Sequence, residues 1–252
     1  MKRQYLIPII VFSLVSFACS LSLPSDISLG GKQPTAEAAR PDKSTPTAEL
    51  PESKEVYQID FELLPENWSD DITMTTQALP GKMNSQIDLE NGWLKFHIKD
   101  FETYLYKFYR DPMPRDVVIE TKALNTGDVH NGTAIICRAA VDYTKWYEFR
   151  VSNSNDYALY YYDQKVKEED GKNPYQELAR GVSPAISPMK ENTIIASCID
   201  TTLRLDINGT QVFIKQTDIL MDGGLVGLGA MSYDLLPVVV KYDYLEVGEA
   251  RN

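Results

Sequence analysis

Along residues 146–151 a tryptophan, a glutamate and an arginine take alternate positions. Trp146, Glu148 and Arg150 fall on one face of an extended strand, and Tyr147, Phe149 and Val151 fall on the other. An aromatic plate beside planar charged groups is the chemistry that binds a sugar, whose ring offers an apolar face and a rim of hydroxyls. Arg138, on the preceding stretch, projects opposite Cys137 and is expected to join Glu148 and Arg150 on that surface. The same side chains also fit a cross-strand charge ladder on a solvated sheet, with Trp146 shielding an edge. The run Tyr160-Tyr161-Tyr162 sends rings to both faces and reads as core and rim.

Two further chemistries can be tested against the chain. His97 and His130 are its only histidines and stand apart, without a metal-ligand spacing. Neither a Gly-x-Ser-x-Gly nucleophile elbow nor a His-Glu-x-x-His metal motif occurs.

The cysteines locate the protein. Lys2 and Arg3 precede an apolar run over residues 6–17, too short to span a bilayer comfortably, and small Ala18 stands before Cys19. The stretch Ser16-Phe17-Ala18-Cys19 resembles the bacterial lipoprotein lipobox, with Ser16 where an aliphatic residue is usual. The resemblance implies that residues 1–18 are a signal peptide and that acyl chains such as palmitate on Cys19 anchor the mature protein to a membrane of the cell envelope, outside the cytoplasm. Cys137 and Cys198 then remain as an even pair in an oxidising compartment. They read as a disulfide, with two buried thiols as the alternative.

Composition divides the rest of the chain in two. Residues 19–55 are rich in Ser, Pro, Thr and Ala, with Pro24, Pro34, Pro41, Pro46 and Pro51 spread along them, and too few large apolar side chains to form a core. This is a disordered tether holding its cargo on the order of 35 Å from the anchor. Residues 1–55 carry six basic and six acidic side chains, so the whole net charge of −11 belongs to residues 56–252. Such a surface repels phosphate backbones, which argues against nucleic acid as a partner.

The elements that must position the candidate residues are strands. Leu203, Leu205 and Ile207 alternate with polar residues, Asn208-Gly209 turns the chain, and Val212 and Ile214 alternate with Gln211, Phe213 and Lys215. Similar strands are predicted at 93–98, 117–123, 133–140, 146–151, 157–163, 193–199, 225–230 and 238–247, punctuated by Asn-Gly and Asp-Gly pairs. No long segment has helical amphipathicity. The prediction for 56–252 is an all-β domain, a two-sheet antiparallel β-sandwich of jelly-roll type.

The order Gly132-Thr-Ala-Ile-Ile-Cys137-Arg138, Trp146-Tyr-Glu-Phe-Arg-Val151, Asp156-Tyr-Ala-Leu-Tyr160, Leu203-Arg-Leu-Asp-Ile-Asn208-Gly209, Gly224-Leu-Val-Gly-Leu228 and Val240-Lys-Tyr-Asp243-Tyr-Leu-Glu-Val247 resembles the concanavalin A-like lectin/glucanase superfamily. Within it, the laminin G-like and 3-keto-disaccharide hydrolase-like domains of bacterial exported proteins are the most similar in pattern. The resemblance covers residues 56–248 and implies stacked antiparallel sheets, one of which receives carbohydrate on its face or rim. It also implies a calcium site at the sheet rim, for which Asp60 and Glu62 on the first strand and Asp243 on the last are the candidates.

Glucanases of that superfamily carry Glu-x-Asp-x-Glu, because retaining hydrolysis needs two carboxyl groups about 5 Å apart. Here Gln58-Ile-Asp60-Phe-Glu62 and Gln86-Ile-Asp88-Leu-Glu90 place glutamine where the nucleophile belongs. An amide is no carboxylate nucleophile. The expectation is therefore a non-catalytic, lectin-like module binding glycan or another cell-envelope polymer. A disaccharide-acting enzyme and a protein-interaction domain are the alternatives.

Overall fold

The structure is a computed structural model that describes residues 53–75 and 84–250. The signal segment, Cys19 and the tether as far as residue 52 lie outside the described residues. In chain order the strands begin with β1 (Ser53–Ile59), β2 (Ile72–Thr75), β3 (Gln86–Leu89), β4 (Leu94–Ile98) and β5 (Thr103–Met113). There follow β6 (Val117–Asn125), β7 (Asn131–Ala139), β8 (Lys145–Val151), β9 (Asp156–Asp163), the helix α1 (Gln164–Asp170) and β10 (Tyr175–Val182). The last are β11 (Glu191–Ile199), β12 (Thr202–Ile207), β13 (Thr210–Gln216), β14 (Gly224–Ser232) and β15 (Val238–Ala250). The first strand thus starts at Ser53, and a domain boundary at 56 would cut it.

Two antiparallel sheets form the predicted sandwich. One runs β13-β12-β11-β6-β15-β4-β3, the other β10-β9-β8-β7-β14-β5-β2. Long β15 carries β4 beside Val238–Tyr242, and β1 lies further along with Ile59 opposite Leu245. Strand alternation builds the core between the sheets. Along β6, Val117, Ile119 and Ala123 are buried while Val118, Glu120 and Lys122 face outward. Leu203, Leu205 and Ile207 point inward as the alternation predicts.

The hairpin partner departs from the prediction. The β12–β13 register shifts between Leu205 and Asp206, so the period of two breaks at that point. Phe213 packs toward the core, with its ring centroid 6.0 Å from that of Phe149, and Ile214 is left exposed.

Cys137 on β7 and Cys198 on β11 form a disulfide that ties the sheets together across the core, with Cα atoms 6.7 Å apart. Joining residues 61 apart in sequence stabilises the fold by about 4 kcal/mol on the chain-entropy account.

The second sheet is also apolar on its outward face. Tyr104, Tyr106, Phe108, Ile136, Trp146, Tyr162 and Met231 form a separate buried cluster there. Short α1 joins β9 to β10 beside this face. Asp163 caps its start by accepting the Lys165 amide, and Gly171 ends it in the left-handed conformation with φ 64.

Candidate functional site

On the outward face of the second sheet, large rings come from β5, β8, β9 and β10, and small residues come from the strands between them. Ala134 of β7 and Gly227 and Gly229 of β14 leave the space that the rings cross. A Cβ on Gly229 would lie 2.5 Å from Tyr106 Cδ1, and one on Gly227 would lie 2.7 Å from Phe108 Cδ1. The glycines therefore let Tyr106 lie across β14 and reach a carboxylate on β8.

That carboxylate is Glu148, which is fully shut from solvent. Its Oε2 accepts from Tyr106 Oη at 3.0 Å and from Trp146 Nε1 at 2.9 Å, and its Oε1 accepts from Arg150 Nε at 2.5 Å. Both oxygens are thus bonded, as a buried charge requires.

Arg150 is the cation of the pair and is itself only 7% exposed. Its Cζ lies 4.3, 4.5 and 5.2 Å from the ring centroids of Tyr160, Tyr175 and Tyr104, within cation–π range of each. Nη1 donates to Tyr233 Oη at 3.2 Å, whereas Nη2 is buried without a hydrogen-bond partner. Burial alone would push this guanidinium down; the Glu148 charge overcomes that and holds it well above its ordinary value.

A cleft of about 430 Å³ opens over this floor. Tyr104, Tyr160, Tyr175 and Tyr233 supply rings to its lining, and Asn131, Ser152, Ser154, Asn173 and Asp156 supply polar groups. At the rim His130 Nδ1 lies 3.0 Å from Asp234 Oδ1, and Arg180 pairs with Glu177 at 2.7 Å. Burial pushes the Tyr104 hydroxyl up to about 12, and burial followed by the Glu148 charge raises Tyr106 and Tyr175 well above the usual range. These hydroxyls keep their protons, and that of Tyr106 donates to Glu148. Beyond the stacked rings of Tyr104 and Tyr175 the face continues into a second depression, lined by Thr73, Met74, Tyr162, Lys167 and Pro174.

The residues expected from sequence fare differently. Trp146, Glu148 and Arg150 share the outward face; Arg150 lies in the cleft floor and Glu148 beneath it. Trp146 lies below them, fully buried and stacked on Tyr162 at 3.9 Å, so it supports the floor and offers no open plate. Arg138 does not join the group. Its backbone is left-handed, with φ 51, which breaks the alternation and sends the guanidinium to the sandwich edge. There it donates to the carbonyls of Arg115, Asp200 and Leu220 and pairs with Asp116.

The calcium candidates do not converge either, although β1 and β15 are neighbours. Phe61, with φ 59, turns the chain off the edge of β15 and buries its ring. Asp60 Oδ1 accepts the Glu62 amide at 3.2 Å, and Asp243 Oδ2 accepts from Lys122 Nζ at 3.1 Å. Among the described residues no group of three or more His, Cys, Asp or Glu side chains is placed to hold a metal ion.

Sequence reading missed Tyr104, Tyr175 and Tyr233, and placed Tyr160 as core or rim. Alternation of Tyr104, Tyr106 and Phe108 was the available signal. It is masked by the equally apolar Leu105 and Tyr109 on the other face.

No family model and no curated protein matches the sequence. Solved structures do match in fold. The carbohydrate-binding module CBM66 from Bacillus subtilis is 11% identical with a TM-score of 0.52, the match covering 69% of this chain and 91% of that one. A β-glucanase from Bacillus licheniformis is 9% identical with a TM-score of 0.55, over 79% of this chain and all of the other (100%). A Bacillus subtilis protein of unknown function with a galectin-like fold is 12% identical with a TM-score of 0.56, over 81% and 100% of the two chains. The fold is the concanavalin A-like jelly roll.

Proposed function

We propose that the cleft on the second sheet binds glycan reversibly, without covalent chemistry, and that the domain is displayed outside the cytoplasm on a lipid anchor at Cys19. The observation that carries the reading is the open cleft itself, lined by Tyr104, Tyr160, Tyr175 and Tyr233 with the Arg150 guanidinium in its floor. Polar side chains of the lining, Asn131, Ser152 and Asn173 among them, can bond the hydroxyls of a sugar. The surrounding rings suit the apolar faces of sugar rings. The solved structures of similar fold include a carbohydrate-binding module and a β-glucanase, which is consistent with a carbohydrate ligand.

Catalysis is the weaker reading. Hydrolysis needs a carboxyl pair free to exchange protons or attack. Glu148, the buried carboxylate beneath the floor, has its oxygens occupied by Tyr106, Trp146 and Arg150.

A glycan array probed with the purified chain tests the proposal, followed by calorimetry on any hit. Arg150→Lys keeps a cation beside Glu148 but replaces the planar guanidinium that the tyrosine rings surround, and is expected to weaken binding by about tenfold or more. A flat array would defeat the binding reading, and release of reducing ends from a bound glycan would favour the enzyme. The anchor has its own check: Cys19→Ser should move the protein from the membrane to the soluble fraction.

A further inference from the structure

We infer that the cleft selects uncharged sugars and turns away acidic ones, with Glu148 as the residue that sets this preference. The inference rests on the glycan-binding reading and names the ligand class. An arginine in the floor of a cleft would ordinarily invite a carboxylate, because the guanidinium fork matches carboxylate geometry. Here that charge is already matched. Glu148 is bonded to Arg150 Nε at 2.5 Å, and neither side chain is more than 8% exposed.

A uronic acid carboxylate entering the cleft would bring a second anion toward a guanidinium that is already matched, close to a carboxylate that water does not screen. It would also give up its own hydration to do so. A neutral sugar hydroxyl occupies the same space without adding charge or losing an ion's hydration.

The walls do not restore a positive field. Arg180, the other arginine of the lining, is paired with Glu177, while Asp156 is bonded to Ser152 and Asp234 faces His130. The protein as a whole carries −11, so its long-range field also opposes an anionic polymer.

Matched polysaccharides that differ chiefly in a hydroxymethyl or a carboxylate group test this with the purified full chain. Suitable pairs are β-1,4-mannan and polymannuronate, and a cellulose oligosaccharide and its C6-oxidised form. The neutral member of a bound pair should bind at least about tenfold more tightly, and its affinity should change by less than about twofold between roughly 0.05 and 0.5 M salt. Equal or tighter binding of the acidic member, weakened by salt, overturns the charge selection while leaving glycan binding in place. Binding of no member at any salt concentration, together with a flat glycan array, overturns both.

Discussion

Glu148 Oε1 accepts the Arg150 Nε hydrogen at 2.5 Å, and the pair lies under the cleft with both side chains nearly closed to water. Its neighbours are committed to the arrangement: Tyr106 and Trp146 complete the carboxylate, while Tyr104, Tyr160 and Tyr175 surround the guanidinium. Breaking such a pair strands a buried charge.

Glu148→Ala should therefore destabilise the domain by about 3–5 kcal/mol in urea unfolding, because Arg150 keeps its charge and loses its counterion. A loss below about 1 kcal/mol would contradict the burial of the pair.

Gly229→Val acts through a ring. The added side chain meets Tyr106, whose Cδ1 would lie 2.5 Å from a Cβ at that position. Displacing the ring breaks its hydrogen bond to Glu148, with an expected cost of about 1–3 kcal/mol. Glycan affinity should fall with it. Unchanged stability and affinity would show that Tyr106 has room to move.

The disulfide is checked by mass. Alkylation of the denatured, unreduced chain should add nothing at Cys137 or Cys198, whereas reduction should expose both. Replacing both by alanine should cost about 4 kcal/mol.

Alkaline titration probes the cleft directly. Burial raises Tyr104 to about 12 from an ordinary value of 10.0. A raised folded value means that the contribution to stability is intact below pH 10 and is lost as pH climbs from there through about 12. In a difference absorbance titration at about 295 nm, comparison with Tyr104→Phe should therefore remove an ionisation near pH 12. An ionisation removed near pH 10 would mean that Tyr104 is open to water.

Much of the fold was legible in the chain because its cause is local. The predicted strand at 146–151 is β8 at Lys145–Val151, and that at 238–247 lies within β15 at Val238–Ala250. Alternation and Asn-Gly turns report on residues a few positions apart, and a half-buried strand must show them. Where both faces of a strand are apolar the signal vanishes. β5 escaped notice because Tyr104, Tyr106 and Phe108 face outward while Leu105 and Tyr109 face the core.

Alternation likewise placed Trp146, Glu148 and Arg150 on one face, and counting cysteines pointed to the bridge between Cys137 and Cys198. It did not reveal that a left-handed Arg138 would leave that face for the sandwich edge, or that Phe61 would turn Asp60 and Glu62 away from Asp243. A strand's period is a property of consecutive residues. Which rings from β5, β9 and β10 close around Arg150, and which of its nitrogens is left without a partner, depends on the packing of strands far apart in sequence, and only the tertiary structure decides it.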